Sequence, residues 1–441
     1  MACALGPWPL YGHEITHPTP IPIPHPHGQQ RQTEEKPPDS ASDWPKHQRG
    51  QILAFTRWSG WSRLRKALGE KYTMPKVLAL PGDGIGPEIM DSALKVLDRL
   101  AEHAQMSFDI DFDLLHGASF DQHGTFCTQA VLDKARDSDA VLVGAVGGPA
   151  WDNIRLPGGP ENQDGLMFLR HHLQTFLGLR PARSWGPLLS QSPLRPERAQ
   201  GAEIMILREM CGGAMFASDR GLDLVDGRRR GYDLTAYDET EVERFARGGF
   251  ELARQRRGRV VSCDKSNVME SYKLWRAVVS EVAADYPDVA FENMFADNCA
   301  FQLMARPGYF DVVLCCNQLG DLFSDLTGVL SGSLGMLPSA CLVGDPGLGR
   351  CFGIYESTGG SAPDIAGRGI ANPLGMILSV GLMFEHSFAR RDLSRILDQA
   401  VEATLAAGYR TQDIGGTATT AAMTDALLIA LDQHLRAADR G

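Results

Sequence analysis

The sequence predicts an α/β fold built on a largely parallel sheet. Three observations predict it: short apolar runs of strand length, amphipathic stretches of helix length between them, and glycine-rich turns where one gives way to the other. Residues 1–73 stand outside this pattern. Residues 1–50 carry ten of the 26 prolines and five of the 12 histidines, including Ile21-Pro-Ile-Pro-His-Pro-His27. Such a tract neither propagates a helix nor supplies a core. Residues 52–72 are basic and mildly amphipathic, like a transit segment, yet residues 1–30 hold no Lys or Arg, which a presequence would want. Residues 1–73 are therefore expected to be a disordered or targeting extension.

From Met74 onward the alternation begins. Lys76-Val-Leu-Ala-Leu80 reads as a strand, followed by a glycine turn. A helix is expected from Glu88 to about Ala101, with Ile89, Ala93, Leu94 and Leu97 on one face. Ala140-Val-Leu-Val-Gly144 is a second strand, ending in Gly147-Gly148-Pro149. Further strands are expected at Arg259-Val-Val-Ser262, Asp311-Val-Val-Leu-Cys315 and Ala340-Cys-Leu-Val343, then a long helix over 373–387.

Composition bounds the function. The 441 residues suffice for a large core, and the net charge of -11 argues against a nucleic-acid backbone as partner. No apolar run reaches the roughly 20 residues of a membrane span. Nine dispersed cysteines without a CxxC pair suggest a reduced, intracellular setting, the cytoplasm by default and the mitochondrion as the alternative.

Several groups of residues point to chemistry. Pro81-Gly-Asp-Gly-Ile-Gly-Pro-Glu88 links strand to helix, but its glycine spacing matches neither a dinucleotide fingerprint nor a P-loop, and Pro87 suits a first helical turn. Arg170, Arg180 and Arg208 each sit in an apolar frame. An inward guanidinium cannot shed its charge and needs an anion. Three of them converging would bind a di- or tricarboxylate; structural salt bridges are the other reading. Asp321 and Asp325 are one helical turn apart, and with Asp297 they supply the hard oxygens that Mg²⁺ or Mn²⁺ prefers. Alternatively, Asp321 is a helix cap and Asp325 a solvated face. Lys265, just past a strand in Ser262-Cys-Asp-Lys-Ser-Asn267, could act as a base or be an ordinary loop lysine. The small-residue loop Gly359–Pro373 permits close backbone approach to a ligand, with Asp364 able to take ribose hydroxyls.

Taken together, these segments resemble the β-decarboxylating dehydrogenases of the isocitrate/isopropylmalate type from about residue 75 to 432. The resemblance rests on LPGDGIGPEI (80–89), GAVGGPAWDN (144–153), GLMFLR (165–170), LGLRP (177–181), LREMCGG (207–213), CDKSNV (263–268), ADNCAFQL (296–303), NQLGDLFSD (317–325), LSGSLGMLPSA (330–340) and GSAPDIAGRGIANP (360–373). It implies two α/β domains around a cleft: residues 74–176 with 330–441 as the cofactor-binding domain, and 177–329 as the substrate, metal and dimerisation domain. It further implies an NAD-dependent oxidative decarboxylation of a 3-substituted malate, by default 3-isopropylmalate in leucine biosynthesis. A bulkier 3-alkyl or 3-aryl malate is the alternative, as is a catalytically weak homologue with a binding role.

By the same resemblance Arg170, Arg180 and Arg208 would clamp carboxylates, while Leu166, Met167 and Val268 would hold an apolar 3-substituent. Asp297, Asp321 and Asp325 would hold the divalent metal, and Lys265, with Asp297, would take the hydroxyl proton. Gly147, Gly148, Glu356, Gly360, Ser361, Ala362, Asp364 and Asn372 would line the NAD site, Asp364 disfavouring a 2'-phosphate. A homodimer with a shared active site is expected, Lys265 and Asp297 coming from the partner subunit. Three positions depart from the family pattern: Met215 replaces a tyrosine expected as the acid, Gly359 a histidine, and Gln163 a glutamate.

Overall fold

The computed structural model describes residues 74–346 and 350–440; the extension read at 1–73 lies outside them. The described chain has the α/β architecture that the alternation predicts. In order, the elements begin with β1 (Lys76–Gly82), α1 (Gly86–His103), β2 (Asp109–Phe112), α2 (Gly117–His123), α3 (Gln129–Asp137) and β3 (Ala140–Ala145). Then come α4 (Gly165–Leu173), β4 (Leu177–Arg183), α5 (Pro196–Ala199), β5 (Glu203–Glu209), β6 (Arg220–Val225), β7 (Arg228–Asp233), α6 (Glu239–Arg254) and β8 (Arg259–Asp264). The last third holds α7 (Glu270–Ala283), β9 (Ala290–Phe295), α8 (Ala296–Ala305), β10 (Val312–Cys315), α9 (Asn317–Thr327), β11 (Pro338–Leu342), β12 (Gly353–Ser357), α10 (Leu374–His386), α11 (Arg391–Ala406) and α12 (Thr420–Ala438).

Ten strands form one sheet in the order β2-β1-β3-β12-β11-β4-β5-β10-β8-β9. Its flanks are parallel, as runs such as Val77–Leu80 and Val141–Val143, buried on both faces, require. The centre is not parallel. β11 runs antiparallel to both β12 and β4, and β4 antiparallel to β5. Five strands on one side come from residues 74–145 and 338–357, and five on the other from 177–315.

Helices cover both faces. Twelve of the 13 residues of α10 are buried, and its sequence is apolar all round, the signature of a helix wedged between layers. It lies between β11 and β12 on one side and α11 and α1 on the other. The β6–β7 ribbon stands apart, a two-stranded antiparallel sheet whose Leu222 is 86% exposed. Alternating sequence alone did not announce it.

The Pro81–Glu88 turn is shaped by contact. Gly84 has φ +57, and a Cβ there would lie 2.0 Å from the Ser361 carbonyl oxygen. The Ile85 amide donates to that oxygen at 2.8 Å. Glycine at 84 thus lets the first turn touch the 360s loop, bringing together two segments nearly 280 residues apart. Pro87 occupies the first turn of α1 as its fixed φ favours.

Candidate active site

Arg170, Arg180 and Arg208 come from α4, β4 and β5, and all three are buried. The antiparallel β4–β5 pairing sets Gly178 opposite Arg208 and Arg180 opposite Ile206, so two of the guanidiniums rise from neighbouring strands. Glu356, at the end of β12, is buried beside them. It pairs with Arg170 and lies 3.4 Å from Arg180. Asp321 on α9 pairs with Arg208. Asn317 Oδ1 accepts from Arg208 Nε at 2.9 Å, and its Nδ2 donates to the Gly212 carbonyl at 3.0 Å.

Glu356 and Asp321 pair directly with these cations, and Asp325 and Asp164 lie within electrostatic reach of them. The Nε atoms of Arg170 and Arg180 are buried with no hydrogen-bond partner, which is costly unless a ligand supplies acceptors. Burial, and Arg180 alongside, push Arg208 down to about 10. Burial also works against the charge on Arg170, but Glu356 outweighs it and raises that group. The unpartnered guanidinium donors of the cluster suit a small polycarboxylate.

Asp321 and Asp325 share a face of α9. Burial, and the Asp321 charge one turn away, raise the Asp325 carboxyl. Two carboxylates one turn apart supply oxygen donors of the kind that Mg²⁺ or Mn²⁺ takes, although Asp321 is paired with Arg208 here. Lys265 Nζ lies 2.7 Å from Asp297 Oδ1, just beyond β8 and at the start of α8, and this bond lowers the Asp297 carboxyl. Among the described residues no three His, Cys, Asp or Glu side chains gather as a metal site. Within one chain, then, Asp297 and Lys265 form a pair separate from Asp321 and Asp325. Asp297 and Val268 are strongly exposed, whereas Leu166 is buried and Met167 half-buried.

The cofactor-side positions line the loops where β1, β3 and β12 end. The Gly147 amide donates to Asp83 Oδ2 at 2.8 Å, and Gly148 follows it on the same half-buried turn. Gly360 has φ +70 and open space at its Cβ position, Ala362 has φ 38, Ser361 is buried, and Asp364 is exposed. Backbone amides Gly369 and Ala371 donate to Glu88, which also takes Thr420. Asn372 Oδ1 accepts from the Leu374 amide at the start of α10, and its Nδ2 donates to Asp413 at 2.9 Å. The left-handed residues and open glycines make a shallow cradle of backbone, which fits a dinucleotide.

Met215 reaches the arginines directly, its Sδ lying 3.3 Å from Arg208 Nη2. Gln163 closes a ring with the Leu156 backbone, accepting at 3.0 Å and donating at 2.8 Å. A glutamate could accept but not donate there, so the amide suits this loop. Sequence reasoning passed over the roles of Asn317 and Asp83, and expected Glu356 on the cofactor side without its arginine contacts. Asn317 stood in the NQLGDLFSD segment, but an amide that joins a strand's arginine to the loop after it, about 105–109 residues away, leaves no spacing signal.

Residues 76–427 match the family model described as isocitrate/isopropylmalate dehydrogenase. A 3-isopropylmalate dehydrogenase of Xanthomonas euvesicatoria pv. vesicatoria is 46% identical over 361 residues, 81% of this chain and 99% of that protein. Another from Chlorobium chlorochromatii is 44% identical over 82% of this chain and 99% of its own length. Among solved structures, an isocitrate dehydrogenase from Methylococcus capsulatus superposes with a TM-score of 0.71 at 28% identity, covering 81% of this chain and 99% of that one. A β-decarboxylating dehydrogenase from Thermococcus kodakarensis gives 0.67 at 29% identity, covering 82% and 97%. Match, coverage and architecture agree: the chain belongs to the isocitrate/isopropylmalate dehydrogenase family.

Proposed function

We propose that the protein catalyses the NAD-dependent oxidative decarboxylation of a 3-substituted malate, 3-isopropylmalate by default, as a step of leucine biosynthesis. The observation that carries this reading is the buried trio of guanidiniums, two of them with unpartnered Nε atoms. Arg170, Arg180 and Arg208 hold the two carboxylates and fix the malate so that its C2 hydrogen faces the nicotinamide. Leu166 and Met167 favour an apolar group at C3 over a third carboxylate.

Residues 74–176 with 330–441 form the cofactor half and residues 177–329 the substrate half; the division of strands across the sheet supports this. Gly147, Gly148, Glu356, Gly360, Ser361, Ala362, Asp364 and Asn372 would hold NAD, the hydride acceptor. The exposed carboxylate of Asp364 disfavours a 2'-phosphate there. Asp321 and Asp325, with the partner subunit's Asp297, would hold Mg²⁺ or Mn²⁺, which supplies Lewis-acid stabilisation of negative charge on the substrate oxygens. The partner subunit's Lys265, paired with Asp297, takes the hydroxyl proton as hydride leaves C2. The C3–carboxylate bond then breaks, its electron pair forms the enol, and a proton delivered at C3 gives the 2-oxo acid and CO₂.

A homodimer is part of the reading. Exposed apolar side chains Val268, Phe295, Phe301 and Leu322 sit beside Lys265, Asp297 and Asp321, a surface that a second copy would cover. The Met215 thioether beside Arg208 favours a second reading, because it donates no proton: the pocket serves a bulkier malate, or turns over slowly. NADH formation with Mn²⁺ across 3-methyl, 3-isopropyl, longer alkyl and aryl malates tests both. The expected result is turnover, highest with an apolar substituent. No NADH from any of them would overturn the dehydrogenase reading and leave a binding role.

A further inference from the structure

Beside the arginine cluster and apart from Asp297, Asp321 and Asp325, one buried histidine is bracketed by two further carboxylates. His116 Nδ1 lies 3.1 Å from Asp83 Oδ2, off the axis of a hydrogen bond, and its Nε2 lies 3.4 Å from Asp164 Oδ2. The ring stacks on Phe126 at 4.6 Å and meets Trp151 edge-on. Its backbone sits at φ 55 and ψ -123, a region that glycine occupies freely and histidine does not. A strained residue persists where its surroundings hold it.

What the carboxylates hold matters more. Asp83 accepts from the amides of Gly117, Ala118 and Gly147, so it knots the first glycine turn to the Gly147 loop. Asp164 is the N-cap of α4, accepting from Met167 N at 2.8 Å. That helix carries Leu166, Met167 and Arg170. A neutral imidazole has a single N–H and would present a lone pair to one of the two carboxylates; only the imidazolium serves both.

We infer that His116 is a positioning residue: a two-sided clasp that, through Asp83 and Asp164, ties the cofactor-side loops to the helix that grips the substrate. The inference rests on the proposed dehydrogenase reading for what the two sides bind. Burial opposes the charge, but Asp164 and Asp83 outweigh it and raise the ring from 6.5 to about 9. The charged groups facing it are those two and, beyond Asp164, Arg170. Because the folded value is raised, the clasp is fully formed below pH 6.5 and is lost as pH climbs through about 9.

Three substitutions test this. H116G relieves the backbone and removes the ring, H116N keeps a residue tolerant of positive φ, and D164N keeps the helix cap while removing one charge. The clasp predicts that H116G and H116N raise KM for both NAD and the malate about tenfold, one lost interaction of roughly 1.4 kcal/mol. kcat should change less than about threefold, and amide exchange at Met167 and Gly147 should quicken. In wild type the same KM rise should set in above about pH 9, and by NMR D164N should return the ring toward 6.5. Unchanged KM and exchange in H116G, or a wild-type ring that titrates near its ordinary value, would overturn the clasp. If wild type makes no NADH from any substituted malate, the proposed activity fails instead, while exchange and ring titration still judge the clasp.

Discussion

Met215 and Glu209 are the residues whose chemistry departs most from expectation. Met215 touches Arg208 through sulfur, so the position that should offer a proton offers a weak acceptor. M215Y is expected to raise kcat by about 10²-fold, the low end of the gain from a positioned acid, with little change in KM. Unchanged turnover would mean that another group, or solvent, already protonates the enol. Glu209 is buried, its carboxylate taking the Cys211 and Gly212 amides, and burial raises it to about 7. A carboxyl raised on folding favours the protonated native state, so its cost grows as pH rises from 4.5 toward 7. E209Q should therefore melt at a temperature that depends less on pH between 5 and 7.5 than wild type does, by differential scanning fluorimetry.

At the scale of elements, α9 and β5 depend on a single missing methyl group. A Cβ on Gly320 would stand 2.6 Å from Arg208 Cβ and 2.9 Å from its Cα. G320A should force the helix off the strand, cost about 1–3 kcal/mol of stability and raise KM for the malate, since Arg208 and Asp321 face each other there. An unchanged urea midpoint and KM would show that the helix gives way without harm. β1, β3, β8, β10, β11 and α10 were legible as elements because each buries a continuous apolar run. β4 and β5 were masked by the arginines that make them important: Arg180 and Arg208 interrupt the apolar pattern because their partners come from β12 and α9. The β6–β7 ribbon could not be read as core, since its strands are almost wholly exposed. For the site, the residue types and motifs were readable, but contacts such as Glu356 with Arg170 span 186 positions and leave no local trace.

At the scale of the whole molecule, Asp297 does not gather with Asp321 and Asp325 into a metal site among the described residues, and the shared active site proposed above predicts complementation. K265M and D321N, each inactive alone, should regain activity when refolded together, with about a quarter of sites intact after random pairing. No recovery in a verified mixed dimer would place the whole site in one subunit. The ten-stranded sheet carries a further consequence. Because β11 bonds β4 across the middle without a break, the two halves of the sheet share a hydrogen-bonded ladder instead of a flexible tether. Neither half can melt without baring the amides and carbonyls of the β11–β4 ladder on the other. Calorimetry should then record one cooperative peak for residues 74–440, and any hinge between the lobes has to work as a twist of that ladder.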